Sequence, residues 1–226
     1  MNLDSNKDSS TKIRLILTAQ ELFAKLGYEV TTTRMIANKA GVAQSAISFH
    51  FGTKENLCKS VFDYTAQLIN EAYYSLCHKI DEDYNSGSMT KELAWGYIDK
   101  IISKQIRYSF DSRNQNIINI VLREDTFPPQ LFGILSHTIF DKIEGQLARL
   151  LITISSRDEP FWALVISRAI NGAIFTFCEQ PILLQNVLHT KVFSKEQKDL
   201  MEDYVHDYLL GGIKAFVRGN GFSTEA

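Results

Sequence analysis

Apolar residues return every three or four positions along most of the chain, and Gly and Pro fall between such runs rather than inside them. That period predicts helices and no strands. A first helix is expected from about residue 10 to 26, with Ile16, Ala19, Phe23 and Leu26 on one face and Gly27 closing it in a left-handed cap. Two short helices follow: Thr33 to Ala40, capped by Thr32, and about Gln44 to His50, with Gly41 allowing the sharp turn between them. Thr53 caps a long helix predicted to reach about Tyr84.

Beyond the SGS turn at 86 to 88, the pattern predicts helices over Thr90 to Phe110, Arg113 to Glu124, and Pro129 to Ile154. Asp158 and Pro160 form the next helix start, since proline lacks an N–H that the first turn leaves unpaired anyway; that helix extends to Phe177 or beyond, and Pro181 loosens its end. Ser194 with Gln197 is a capping-box pattern opening a final helix to about Val217. The chain thus reads as all-α: a three-helix unit over residues 1–53, ordered from about residue 10, and a larger helical bundle over 54–226.

Composition narrows the class only modestly. At 226 residues and 45% hydrophobic content the chain is globular, and no run of eighteen uninterrupted apolar residues or secretory leader interrupts the polar start MNLDSNKDSSTK. A cytoplasmic protein without membrane partners is expected. Three cysteines, Cys58, Cys77 and Cys178, are odd in number and widely spaced, so they read as free buried thiols and not as a disulfide frame or metal site. Charge is more informative, because residues 1–60 hold eight Lys/Arg against five acids while the remainder holds sixteen against twenty-one. A basic head on an acidic body suits nucleic-acid contact at one end.

Two short helices joined by a Gly-containing turn, with a third packed across them, form a helix-turn-helix. Ile36, Ala37, Ala40, Val42 and Ile47 would be its core, leaving Gln44, Ser45 and Ser48 outside near the N-terminus of the recognition helix. There base-reading side chains normally sit: Gln bonds adenine through two hydrogen bonds, and Ser serves either base type. Lys54 follows a cap residue at a helix N-terminus, where free N–H groups and the dipole favour phosphate.

The segment TTTRMIANKAGVAQSAISFHFGTKENL, with the preceding ELFAKLGYEVT, resembles the DNA-binding signature of the TetR/AcrR family of transcriptional regulators. The resemblance covers about residues 12 to 62 and rests on Phe23, Gly27, Thr32, Ile36, Ala37, Ala40, Gly41, Val42, His50, Phe51, Lys54 and Leu57. It implies that Thr32, Thr33 and Arg34 lie beside DNA, that Phe49 packs on the sugar-phosphate backbone, and that His50 and Lys54 meet phosphate. Two positions depart from the family pattern: Ala43 replaces the usual capping Ser, and Ser48 stands where Tyr is common.

The resemblance further implies a ligand-responsive repressor binding a palindromic double-stranded operator as a homodimer, with a small-molecule effector and no cofactor or metal. Dimerisation falls to the last two long helices, with Val205, Leu209, Gly212 and Phe216 on the shared face. The middle helices become the effector region, walled by aromatics such as Trp95, Tyr97, Tyr108, Phe110, Phe132, Phe140, Trp162, Phe175 and Phe177, with Arg123, Glu124 and His137 as polar anchors. Two other classes stay open: a DNA-bound structural or partner-recruiting protein without effector, and an all-helical enzyme. Against the enzyme, no HExxH, CxxC, GxSxG, Walker or dinucleotide glycine pattern occurs.

Overall fold

The computed structural model describes residues 3–155, 160–179, 185–190 and 193–218, the side chains of 3–9, 178, 179 and 218 excepted. The readings placed on Asp158, on Pro181 and on the Cys178 thiol lie outside them. Among the described residues every regular element is helical. In order they are α1 (Leu3–Leu26), α2 (Thr33–Ala40), α3 (Ser45–Phe51), α4 (Lys54–Asn85), α5 (Lys91–Phe110), α6 (Gln115–Leu122), α7 (Ile134–Ile139), α8 (Gly145–Ser155), α9 (Pro160–Glu179) and α10 (Lys195–Arg218).

Two compact units emerge. The first joins residues Met1–Ala72 with Gln115–Ile139; the second joins Tyr73–Asn114 with Phe140–Ala226. Compactness therefore groups the first part of α4, together with α6 and α7, with the reader helices, whereas the sequence division at residue 53 set them apart. The physical reason is a shared core. Leu57, Val61 and Phe62 of α4 and Ile120, Phe127, Leu131 and Leu135 are buried in one cluster with Leu15, Ala19, Phe23, Ile36 and Ile47. Phe127 is its wedge, with ring centroids 4.9 Å from Phe62, 6.1 Å from Phe23 and 6.2 Å from Tyr28.

Local chemistry sets the helix ends in this unit. The Thr32 hydroxyl accepts from the Met35 N–H at 3.2 Å, and the Thr53 hydroxyl accepts from the Asn56 N–H at 3.1 Å, so both expected caps are made. Gly41 takes φ 66°, the left-handed conformation that ends α2, and the next residue's N–H, from Val42, closes on the Ala37 carbonyl at 3.0 Å. Leu26 is the exception on the predicted face of α1: at 42% exposure it stays outside the core.

In the second unit, Ile98, Ile101, Ile102 and Ile106 of α5 are buried alongside Leu147, Leu150 and Leu151 of α8, Ala163, Ile170 and Ile174 of α9, and Val205, Leu209 and Ile213 of α10. His206 Nε2 lies 2.8 Å from an Asp99 carboxylate oxygen and ties α10 to α5. The Ser194–Gln197 capping box forms in both directions, at 2.9 and 3.1 Å.

Two predicted helices are broken. Over 113–124 the helix is confined to α6, with a 3-10 turn at Ser112–Asn114 before it and another at Glu124–Thr126 after it. Over 129–154 the chain divides into a 3-10 turn (Pro129–Leu131), α7, a π-turn (Phe140–Glu144) and α8. The first break arises because Phe132 is extended and the buried Glu124 carboxylate starts a new helix, accepting the N–H groups of Leu135 at 2.9 Å and Ser136 at 3.1 Å. Gly145 permits the wide turn, since a Cβ there would stand 3.1 Å from the Phe140 carbonyl oxygen.

Thr31, fully buried, locks the α1–α2 connection by donating its hydroxyl to the Gly27 carbonyl at 2.7 Å and the Leu22 carbonyl at 3.3 Å. Thr31→Val keeps the shape and strands those acceptors, so urea unfolding should show a loss of about 1–3 kcal/mol, with Thr31→Ser close to wild type. Equal stability of all three would show that the hydroxyl contributes nothing.

Candidate nucleic-acid interface

A seven-residue helix cannot persist in water by itself, so α3 depends on its inner face. Ile47 (2% exposed) and Phe51 (7%) enter the core beside Ile36 and Ala37 of α2, while Ala46 and Val42 pack at its edge. Gln44 stands at the N-cap without a side-chain cap bond, consistent with the missing serine at Ala43; the turn closes instead through the Ala46 N–H to the Ala43 carbonyl at 3.0 Å. At the other end the Asn56 side-chain amide donates to the Phe51 carbonyl at 2.9 Å, tying the end of α3 to α4.

The outer face carries the predicted readers. Thr32, Arg34, Gln44, Ser45, Ser48 and Phe49 are exposed, Phe49 at 78%, and Thr33, His50 and Lys54 are half-buried. All nine belong to the first unit. The Gln44 amide donates to the Thr33 hydroxyl at 3.2 Å, so one of its two N–H groups is engaged. Phe49 and His50 stack edge to face at 5.0 Å.

Charge is distributed less simply than the sequence implies. Lys39 and Lys25 both pair with Glu21, at 2.7 and 2.6 Å, and their hydrogen bonds hold the Glu21 carboxyl below its ordinary range. Lys54, expected at a phosphate, donates to the Tyr28 carbonyl at 2.6 Å and lies 4.0 Å from the centroid of the Tyr28 ring. It therefore fastens the start of α4 to the α1–α2 connection, whatever else its remaining N–H groups meet. Sequence reasoning missed Tyr28, Thr31 and Asn56; only Thr31, a second threonine before the Thr32 cap, carried any signal.

The expected effector residues divide between the two units. Arg123, Phe132 and His137 belong to the first unit and are exposed, whereas Trp95, Phe110, Trp162 and Phe177 belong to the second and are half-buried. Phe110 and Phe177 meet edge to face at 6.3 Å, and Trp162 lies 5.5 Å from Phe216. Glu124, expected beside Arg123 as an anchor, is the α7 cap. Cys58 and Cys77 are buried free thiols; burial pushes Cys58 up to about 12, and the Cys77 thiol donates to the Lys142 carbonyl.

The expected dimer residues also divide. Val205 and Leu209 are 7% exposed and close the interior of their own unit, Phe216 is half-buried, and Gly212 is exposed. The outward face of α10 presents Tyr204 (68%) and Tyr208 (77%) instead, one turn apart, and that of α9 presents Phe161 (78%) and Val165. Between the two helices runs an apolar groove of about 680 Å3, lined by Ile166, Ala169, Ala173, Tyr208, Gly212 and Phe216 among others. Residues Pro160–Phe177 are long and apolar enough to cross a membrane by length and composition, and 28% of that stretch is buried within this chain, so much of its apolar surface faces outward.

A short helix presenting small polar side chains from a buried base, beside a capped partner helix, defines a helix-turn-helix DNA-binding protein. Residues 15–61 match the family profile described as bacterial regulatory proteins, TetR family. Over those residues the chain carries the DNA-binding domain of that family, and it is similar to TetR/AcrR-family transcriptional regulators. Over 213 residues, 92% of this chain and 94% of the relative, it is 22% identical to the HTH-type transcriptional dual regulator CecR of Shigella flexneri. Its fold is similar to that of a TetR-family bacterial regulatory protein from Rhodococcus (TM-score 0.61, 17% identity, 90% of this chain and 96% of that one). It is likewise similar to the transcriptional regulator FadR from Bacillus subtilis in complex with stearoyl-CoA (TM-score 0.61, 19% identity, 88% and 98%).

If the Lys54 clamp holds the first unit together, Lys54→Met should lower stability to urea by about 1–2 kcal/mol. A double-mutant cycle with Tyr28→Leu should return a coupling of about 0.5–1 kcal/mol from the ammonium over the ring. A coupling near zero would contradict the contact.

Proposed function

We propose that this protein is a ligand-responsive repressor that binds a palindromic operator as a homodimer. The observation that carries this reading is α3: a short helix rooted by Ile47 and Phe51 whose outer face offers Gln44, Ser45 and Ser48, with Phe49 and His50 at the edge. A major groove about 12 Å wide admits such a helix, the small residues keep it slim, and Gln44 keeps a free acceptor and a donor for one base edge. Thr32, Thr33 and Arg34 at the start of α2 flank it for the backbone.

Dimerisation is supported by the outward apolar faces of α9 and α10, and one helix reads too few base pairs alone. The inferred interface keeps Gly212 of α10 and adds the exposed Tyr204 and Tyr208 with Phe161 and Val165 of α9, because Val205 and Leu209 are buried in the chain's own interior. Effector binding is supported by the larger second unit and by the stearoyl-CoA complex of a protein that shares the fold. Because α4 is one continuous helix contributing to both units, effector binding in the second would shift it and change the spacing of the recognition helices. The repressor acts in the cytoplasm, without catalysis of its own.

Mobility-shift titration on the DNA upstream of its own gene tests DNA binding. Retardation should occur, and Arg34→Ala should weaken all sequences alike and reduce the salt slope by about one counterion. Failure to retard any nearby inverted repeat would remove the regulator reading. Sedimentation should give a dimer that Tyr208→Lys converts to monomer without loss of helicity; an unchanged dimer would place the interface elsewhere. Operator binding that no small molecule alters would favour the structural DNA-binding reading instead.

A further inference from the structure

The interior of the second unit contains a polar chain among isoleucines and leucines. Arg168, exposed at the surface, and the buried Asn171 side-chain amide both donate to the same Glu144 carboxylate oxygen, at 2.8 and 2.6 Å. The Gln105 amide donates in turn to the Asn171 carbonyl oxygen. Gln105, Asn171 and Glu144 are 3, 1 and 5% exposed. Each bond fixes the next: a carboxylate only accepts, so Asn171 must turn its N–H2 toward Glu144 and its oxygen toward Gln105. Gln105 must then present its N–H2 to Asn171, which leaves its own oxygen pointing elsewhere.

That Gln105 Oε1 atom is buried and has no hydrogen-bond partner among the described residues. One turn further along the same face of α5, the Tyr108 hydroxyl is likewise buried and without a partner. Burial pushes the Tyr108 phenol up to about 12, so it keeps its proton and can donate. Two stranded polar groups on one helix face, in a unit otherwise packed with Ile101, Ile102, Ile106, Ile170 and Ile174, carry a desolvation penalty that a bound molecule would relieve. The π-turn Phe140–Glu144, a local irregularity in the helix stack, ends at the carboxylate that begins the relay.

We propose that Gln105 and Tyr108 bind the uncharged polar head of an amphiphilic molecule that both donates and accepts a hydrogen bond, such as a primary amide or an alcohol, with its apolar tail among the surrounding isoleucines. The head's donor goes to Gln105 Oε1, and its acceptor takes the Tyr108 proton. An anionic head has no donor for Gln105 and would meet a carbonyl oxygen set by a nearby carboxylate, so it is disfavoured. Glu144 acts as a positioning residue, since its charge dictates which atom Gln105 offers. This inference rests on the effector role proposed for the second unit and specifies its chemistry.

Calorimetric titration of the full chain with octanamide, 1-octanol and octanoate, at about pH 7.5 where the acid is ionised, separates the possibilities. Octanamide and octanol should bind, with octanoate weaker by about tenfold or more, and Tyr108→Phe should lower octanamide affinity by about tenfold. Tyr108→Phe should not lower the melting temperature, because it removes an unpaired buried hydroxyl. Glu144→Gln, which frees Asn171 to turn over, should shrink the preference for amide over acid. Tighter binding of octanoate would overturn the proposal while leaving an effector site in place, as would octanamide binding untouched by Tyr108→Phe. No binding of any of the three would also overturn it, and a mobility shift by the same preparation would leave the DNA-binding reading standing. Octanamide binding that leaves operator affinity unchanged would support the site and count against the ligand-response reading.

Discussion

The base-reading surface proposed for this protein hangs on the docking of a helix too short to exist alone. Nucleating seven residues of α3 is unfavourable, and Gln44 adds no cap bond. Burial of Ile47 and Phe51 against α2 and α1 must supply the stability, and the αL residue Gly41 must set the angle at which they meet. The same burial decides orientation: once Ile47 points inward, Ser45, Ser48 and Phe49 have to point out. Reader chemistry thus follows from core packing rather than competing with it.

That platform is braced from three sides by contacts among different elements. Thr31 pins the α1–α2 connection, Lys54 clamps Tyr28 to the start of α4, and Asn56 holds the last turn of α3. Phe127 fills the space against Phe23, Phe62 and Tyr28, bringing a segment distant in sequence into the same core. The long-range member matters because it makes the stability of the reading platform depend on residues 115–139, well outside the helix-turn-helix itself.

The helix-turn-helix was legible in the sequence because its requirements are local: caps at Thr32 and Thr53, a left-handed glycine, and an apolar triplet at helical spacing. Ends of α2, α4 and α5 fell within one residue of expectation for that reason. What depends on tertiary context was not legible. Nothing local says that Glu124 would be buried to start α7, or that Gly145 would let a π-turn close, so one predicted helix became four elements. On α10 the apolar residues occupy two faces, and periodicity alone cannot say whether Val205 and Leu209 or Tyr204 and Tyr208 turn inward. Aromatic content suggested a pocket wall, yet the residues named divide between two units, and the stranded polar atoms on Gln105 and Tyr108 become visible only once their partners are counted.

We assign base reading to the outer face of α3. Selection of bound duplexes from a randomised library, carried out in parallel with the wild type and Gln44→Ala, tests it most directly. Base reading by α3 predicts an inverted repeat for the wild type and the loss of preference at one position in each half-site for the variant, the rest unchanged. Recovery of no repeat, or of the same repeat with undiminished preference at every position by both proteins, would contradict it.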